Sequence, residues 1–211
     1  MLLRAPLAVI ALLLLAATGC SSDSSSKADA TPAPSCPAKW KGDWQKLADR
    51  AKAMVYCPAW MPQPLTGEIG PQVSFGGAGG SSESYSRKGG YMATFIYAEG
   101  PQQEVHVNFR GYPGMTRIPV CETTDINGGK VVTNHLPCFA DPGGTYKSGD
   151  IDATLYTVNQ GEDRWHLLYA WRNNGSLYTV SEHVIPPYSY NQVLANLHRM
   201  IGNLVPLQPS A

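Results

Sequence analysis

The chain has no excess of charge of either sign and few charged residues in total. Lys and Arg number 16, Asp and Glu number 16, and charged residues make up 15% of the 211 positions. Nucleic acids and anionic lipid surfaces attract proteins that carry a clear excess of basic residues. The composition therefore gives no electrostatic case for a nucleic-acid partner.

The chain also lacks the short motifs of common catalytic sites. It contains no Gly-x-Ser-x-Gly elbow, the turn that seats the nucleophile of many serine hydrolases. The glycine-rich run at 76–80 leads into Ser81-Ser82-Glu83, whereas a phosphate-binding loop ends in Gly-Lys-Ser or Gly-Lys-Thr. We expect a flexible loop there, or a lid over a pocket.

The acidic pair Glu162-Asp163 lies in a predicted turn, where we expect solvated carboxylates.

Metal-ligand spacings are absent as well. No Cys-x-x-Cys or Cys-x-x-His pair occurs, and no two histidines lie two or four positions apart. Structural zinc sites commonly use such local pairs. The sequence therefore predicts no metal site and no cofactor. The histidines are His106, His135, His166, His183 and His198.

No apolar run reaches the ~20 residues that a transmembrane helix needs. The run from Leu7 to Ala17 has eleven residues and follows the basic Arg4, which is the pattern of a secretory signal peptide. It ends in Thr18-Gly19-Cys20, and these small residues before a cysteine resemble the lipobox of bacterial lipoproteins. The alternative is an ordinary signal peptide that happens to contain a cysteine.

The lipobox resemblance implies a membrane anchor. In that family the cysteine thiol, here that of Cys20, receives a diacylglyceryl group, and the signal peptide, here residues 1–19, is removed. Two acyl chains hold a protein at a membrane more firmly than one chain does. Residues 21–35 are mostly Ser, Asp, Ala and Pro. We expect residues 20–35 to be the lipidated cysteine and a disordered tether, with a reach of about 20 Å.

Four cysteines remain in the predicted domain at 36–207, and an even number in an exported chain suggests two disulfides. Four cysteines allow three connectivities. Local geometry favours Cys36–Cys57, which bracket a predicted helix, and Cys121–Cys138, which bracket a predicted hairpin. A turn at Gly128-Gly129 places Cys121 opposite Leu136, so that a bulge near Pro137 is expected to bring Cys138 into reach.

The pattern of the domain predicts an α+β fold. Apolar spacing predicts a helix over 43–55, capped by Asp43, and a second helix that starts at a Ser189/Gln192 capping box and ends at Pro206. Strand patterns occur at 91–97, 105–110, 130–134 and 151–158. We expect a curved antiparallel β-meander with the N-terminal and C-terminal helices packed on one face.

The clearest hairpin spans 165–184 around Asn174-Gly175, a strong signal for a tight turn. Its predicted register pairs Trp171 with Tyr178, Tyr169 with Val180 and Trp165 with Val184, so these six side chains share a face. Glu182 lies on that face, opposite Leu167. His166 and His183 lie opposite each other on the other face, and we expect either a two-histidine contact or two solvated side chains.

The C-terminal third resembles a family of uncharacterised bacterial extracytoplasmic domains. The resemblance is carried by the strand at 167–171, the Asn174-Gly175 turn, the strand at 177–180 and a terminal helix. The segment 55–62 resembles that family's tyrosine- and proline-rich entry to the sheet. The resemblance implies a domain of the cell envelope and assigns no catalytic residue.

Together these observations predict a lipid-anchored, non-catalytic binding or interaction module of the cell envelope. The expected partners are the membrane, reached through the anchor, and an apolar ligand, a glycan or an envelope protein. Two alternatives stay open. One is an enzyme that acts on cell-wall or lipid substrates, with His166, Glu182 and His183 as its candidate polar site. The other is a structural accessory protein without a small ligand.

Overall fold

The described part of the chain begins after the predicted signal. The computed structural model describes residues 32–65, 72–75, 90–98 and 104–211. The predicted signal peptide, Cys20, the predicted tether as far as residue 31 and the glycine-rich segment at 76–86 lie outside the described residues. Within the described ranges, no helix is both long enough and apolar enough to cross a membrane.

The described residues contain helices and antiparallel strands, so the predicted α+β class is confirmed. A 3₁₀ helix at Gly161–Asp163 occupies the predicted turn before the clearest hairpin. The helices are α1 (Ala38–Ala51) and α2 (Tyr190–Ile201). The strands are β1 (Val55–Pro58), β2 (Gln72–Phe75), β3 (Tyr91–Ala98), β4 (Glu104–Tyr112), β5 (Val120–Asn127), β6 (Lys130–Pro137), β7 (Phe139–Ser148), β8 (Ile151–Asn159), β9 (His166–Asn173), β10 (Ser176–His183) and β11 (Leu204–Leu207).

Seven of these strands form one antiparallel sheet in the order β2-β3-β4-β10-β9-β8-β7. The strands β2–β4 and β7–β10 are two consecutive meanders, which join where β4 pairs with β10. Between them the chain forms a separate two-stranded ribbon, β5–β6. Another two-stranded sheet pairs β1 with β11. The join places β4 beside β10, although the two strands are far apart in sequence.

One face of the seven-stranded sheet is apolar. Phe109 of β4 lies beside Val180 of β10, and Val180 lies beside Tyr169 of β9, with all three side chains buried. Trp44 of α1 packs edge-to-face on Phe109, with ring centroids 5.7 Å apart. The Tyr169 hydroxyl lies 2.7 Å from Nε2 of His198 on α2. We call this side the apolar face, and it contacts residues of both helices.

The first helix begins earlier than the predicted residue 43. It starts at Ala38, directly after Pro37, and ends where Lys52 adopts a left-handed conformation with φ 49°. Pro37 is the N-cap, and its carbonyl accepts the first helical hydrogen bond, from the Lys41 N–H at 2.9 Å. Val55, predicted on the helix face, instead begins β1 and pairs with Leu207. The predicted helix was therefore placed about one turn too far toward the C-terminus.

The last helix ends earlier than predicted. Its capping box is confirmed, since the Ser189 hydroxyl accepts a hydrogen bond from the Gln192 N–H and the Gln192 side chain accepts one from the Ser189 N–H. The helix stops at Ile201, and the residues expected to continue it form β11. Pro206 lies opposite Tyr56 in the β1–β11 pair. Pairing with a strand 150 positions away is invisible to local periodicity.

The predicted disulfides, Cys36–Cys57 and Cys121–Cys138, are both confirmed. Cys121 lies opposite Leu136 as predicted, and the β5–β6 ladder continues to its last pair without the expected bulge near Pro137. The Cα atoms of Cys121 and Cys138 are nevertheless 4.8 Å apart. The disulfide therefore joins Cys121 to the residue two positions beyond its directly paired partner, Leu136. No extra residue in either strand is needed to bring the two cysteines together.

The hairpin around Asn174-Gly175 has the predicted register, including His183 opposite His166 and Glu182 opposite Leu167. Trp165 is the exception. Its carbonyl accepts a hydrogen bond from the Val184 N–H at 2.9 Å, but its side chain is 74% exposed. Its φ of 66° breaks the alternation of side chains just before β9 begins. The predicted position on the aromatic face was therefore wrong.

Candidate functional site

Three histidines meet on the second face of the sheet, which we call the polar face. His183 at the end of β10 lies opposite His166 at the start of β9. The β4–β10 ladder pairs Glu182 with Val107, so that His106 of β4 is the next residue beside His183. The ring centroids are 4.4 to 5.1 Å apart. One nitrogen from each ring lies within 4.8 Å of the other two.

His166 is the buried member of this cluster and is held in one orientation. Its side chain is 0% exposed, and its Nδ1 lies 2.9 Å from the Ser181 hydroxyl oxygen. The Ser181 hydroxyl donates its only proton to Oδ1 of Asp163 at 2.6 Å. The same hydroxyl can therefore only accept from His166, which places the proton of a neutral His166 on Nδ1 and leaves a lone pair on Nε2.

Nε2 of His166 is buried and has no hydrogen-bond partner among the described residues. Leaving a buried polar atom unpaired costs about 1–3 kcal/mol. His106 and His183 are only partly buried, so the cluster is accessible from the solvent side. The three rings therefore form a preorganised site, in which Nε2 of the buried His166 is a hydrogen-bond acceptor without a partner among the described residues.

Asp163 anchors this arrangement from the 3₁₀ helix. Its carboxylate accepts hydrogen bonds from Arg110 Nε and from Asn108 Nδ2, both at 3.0 Å. Burial alone would raise the pKa of Asp163, but the Arg110 guanidinium and the hydrogen bonds from His166 and Ser181 outweigh burial and hold it well below the usual value. Asp163 is thus a buried, ionised carboxylate that accepts hydrogen bonds from Asn108, Arg110 and Ser181.

The expectation that Asp163 would be a solvated turn residue was wrong. Strand alternation at 105–110 placed Asn108 and Arg110 on a polar face, and the structure buries both side chains. The 3₁₀ helix brings Asp163 against that face, so three polar groups satisfy one another there. Local sequence gives no signal for this contact, because Asp163 lies more than 50 positions from both partners.

The predicted polar site of His166, Glu182 and His183 is divided between two faces. Its histidines are together, but Glu182 points to the opposite side because adjacent strand residues alternate. Glu182 is 0% exposed, and its Oε1 accepts a hydrogen bond from Asn196 Nδ2 of α2 at 2.8 Å. Burial raises the pKa of Glu182 to about 8, although the Asn196 hydrogen bond partly offsets this effect. His106 is the third member that sequence reasoning missed.

Ser181, His166 and Asp163 contain the residue types of a catalytic triad without its geometry. In a triad the acid and the serine bind opposite nitrogens of the histidine. Here Ser181 contacts Nδ1, and the Asp163 carboxylate lies 3.5 Å from the same nitrogen. Ser181 is 1% exposed and donates its proton to Asp163. The arrangement orients His166 and does not activate a nucleophile.

A separate cleft of 570 Å³ lies near the far end of α2. Its lining includes Tyr56 of β1, Asp150 between β7 and β8, Asn173 of β9, and Ile201 and Leu204. The Tyr56 hydroxyl accepts a hydrogen bond from Asn173 Nδ2. This mixed lining offers apolar surface together with a few polar groups.

Searches of protein-family models, of curated proteins and of solved structures found no match to the chain. Three imidazoles at this spacing can bind one transition-metal ion or exchange protons with an acidic ligand.

Proposed function

We propose that this protein is a non-catalytic binding module held on the outer face of a bacterial membrane, with His106, His166 and His183 as its binding site. The observation that carries this proposal is the buried Nε2 of His166, which has no hydrogen-bond partner in the described part of the chain and belongs to a ring whose centroid lies 4.4 Å from that of His106 and 5.1 Å from that of His183. A ligand that contacts this nitrogen removes the energetic cost of leaving it unpaired.

The chemistry around the cluster supports binding over catalysis. The four cysteines of the described ranges are in disulfides, so none of them offers a thiol. Ser181 is buried and donates to Asp163, and Glu182 lies on the apolar face. An enzyme that uses His166, Glu182 and His183 together would need groups that are separated by the thickness of the sheet. This separation weakens the alternative of an envelope enzyme.

The two disulfides indicate an oxidising, extracytoplasmic environment. The proposed anchor adds a lipid on Cys20 after removal of residues 1–19, with residues 20–35 as the tether. Its support is the resemblance of Thr18-Gly19-Cys20 to a lipobox and the short apolar run before it. The resemblance of the C-terminal third to extracytoplasmic domains agrees with this location.

The finer architecture is part of the same proposal. We infer that the sheet is curved and that α1 and α2 both cover its apolar face. The opposite face buries Leu168, Ala170 and Leu177 in a second apolar cluster, which leaves its histidine end for a ligand. Contacts of Trp44 with Phe109 and of His198 with Tyr169 support this placement. The 570 Å³ cleft is a concave region apart from the histidine cluster, where an apolar or glycan ligand would fit. The histidine cluster and this cleft together favour a binding role over a purely structural accessory role.

The anchor is tested by fractionating cells that produce the wild type or the Cys20→Ala variant. We expect the wild type in the membrane fraction, and the variant as unprocessed precursor or as released protein. Ser21→Ala, next to the proposed modification site, serves as the matched control and should behave as the wild type. A correctly processed Cys20→Ala protein that stays with the membrane would contradict the lipid anchor.

A further inference from the structure

We infer that the site formed by His106, His166 and His183 binds one divalent transition-metal ion of the zinc or copper type. This inference rests on the proposed function, because it names the ligand of the same site. The sequence predicted no metal site, since the three histidines are far apart in sequence and come from three strands.

The spacing of the ring nitrogens fits a single ion after small side-chain rotations. Each ring offers a nitrogen within 4.8 Å of the others. With metal–nitrogen bonds of about 2.0–2.1 Å, a tetrahedral site needs nitrogens roughly 3.4 Å apart. Closing this distance takes small rotations of His106 and His183 toward His166, and the partial exposure of these two rings provides the path of entry.

The surroundings of His166 are those of a metal ligand. A metal-binding histidine usually donates its other N–H to a carboxylate, a carbonyl or water, which fixes the ring and its tautomer. His166 Nδ1 donates to Ser181, and Ser181 donates to the carboxylate of Asp163. This relay holds the ring of His166 and leaves its Nε2 lone pair available as the ligand atom.

The donor set selects the class of ion. The Asp163 oxygens already accept hydrogen bonds from Asn108, Ser181 and Arg110, so the cluster presents nitrogen atoms only. Imidazole suits zinc and copper, whereas magnesium and calcium require oxygen ligands. An anionic ligand would need hydrogen-bond donors, and neutral His166 presents an acceptor at its inner nitrogen.

The test is zinc binding by the full chain, purified from membranes in mild detergent and stripped with a chelator. We expect one Zn²⁺ per chain, and tighter binding of Cu²⁺ in competition. His106→Ala and His183→Ala, at partly exposed positions, should each weaken zinc affinity by more than the roughly 10–100-fold typical of changes outside the ligand shell. Cobalt in place of zinc should give the visible absorption of a tetrahedral nitrogen site.

Matched variants separate this site from adventitious binding. His135→Ala removes an exposed histidine of the β5–β6 ribbon and should leave affinity unchanged. Glu182→Gln alters the neighbour of His183 on the opposite face and should also have no effect. Ser181→Ala keeps all three rings but removes the relay, so zinc affinity should fall about 10-fold. Its unfolding midpoint is measured beside the affinity, so that unfolding is not mistaken for lost orientation.

Three results would overturn the inference: no zinc or copper binding by folded wild type, equal binding of Mg²⁺, or loss of binding in His135→Ala but not in His183→Ala. An organic ligand that copurifies with the wild type and is lost in His183→Ala, without any metal, would overturn the inference and leave the proposed function standing. Wild-type protein that binds neither metal nor any other ligand would contradict both.

Discussion

Asp163 shows how one side chain determines the character of the polar face. Its carboxylate pairs with Arg110 and, through Ser181, sets the tautomer of His166. Both Asp163 and Arg110 are nearly fully buried, so water cannot replace either partner. Buried charge pairs of this kind contribute little as pairs, but removing one partner leaves the other uncompensated.

We expect Asp163→Asn to lower the free energy of unfolding by about 3–5 kcal/mol, because the buried Arg110 guanidinium loses its ion pair with the Asp163 carboxylate. Urea denaturation followed by tryptophan fluorescence measures this loss. The control is Asp152→Asn, which breaks an exposed pair with Lys147 and should cost no more than about 1 kcal/mol. Equal losses in the two variants would show that the Asp163 network does not support the fold.

His198 gives a pH-dependent prediction. Burial lowers the pKa of His198 below its ordinary value of 6.5. As pH falls through 6.5, the unfolded chain takes up this proton before the folded chain does, so the folded state loses stability. His198→Gln should therefore cost more stability at pH 7.5 than at pH 5.5, measured by denaturant titration at each pH. His135→Gln, on the exposed ribbon, serves as the control. A His198→Gln effect that is the same at both pH values would contradict this account.

At the scale of elements, α2 illustrates local rules that act as the sequence suggests. Its first turn is closed by reciprocal hydrogen bonds between Ser189 and Gln192. On the core side, Val193, Leu197 and Ile201 are buried. The cap fixes where the helix starts, and the apolar stripe fixes which side faces the sheet.

Ser189→Ala removes the side-chain cap and should lower the free energy of unfolding by about 1 kcal/mol. Asn191→Ala, at an exposed position in the same first turn, is the control and should cost little. Thermal denaturation monitored by circular dichroism compares the two. A larger loss in Asn191→Ala than in Ser189→Ala would contradict the capping role.

Elements that depend on neighbouring residues could be predicted from the sequence, and elements that depend on distant partners could not. The turns at Gly128-Gly129 and Asn174-Gly175, the hairpin register and the α2 cap follow from local chemistry. The β1–β11 pair joins residues about 150 positions apart, and it overrode a helical pattern at both ends. The residues of the histidine site also fall into a part that could be predicted from the sequence and a part that could not. The His166–His183 pair followed from a hairpin, whereas His106 and Asp163 reach it only through the fold.

At the scale of the whole molecule, each disulfide joins a peripheral segment to a neighbouring part of the fold. Cys36 precedes α1 and bonds to Cys57 in β1, and this bridge lies beside the main core. Cys121 of β5 bonds to Cys138, the residue just before β7. The second bridge ties the base of the exposed ribbon to the start of the second meander.

The two bridges should therefore contribute differently. Replacing Cys36 and Cys57 together by serine should lower the free energy of unfolding of the domain by about 2–5 kcal/mol. Replacing Cys121 and Cys138 should mainly raise amide hydrogen exchange in β5 and β6. Denaturant titration and hydrogen-exchange mass spectrometry measure the two effects. Exchange that rises equally across all strands in the second variant would contradict a local role for that bridge.

The central claim is that the histidine cluster on the polar face is a binding site. Native mass spectrometry of the full chain, extracted gently from membranes, tests it most directly when the wild type is compared with His183→Ala. The account predicts an added mass on the wild type that is absent from the variant, while both proteins remain folded. Bare masses for both proteins, or the same added mass on both, would contradict it.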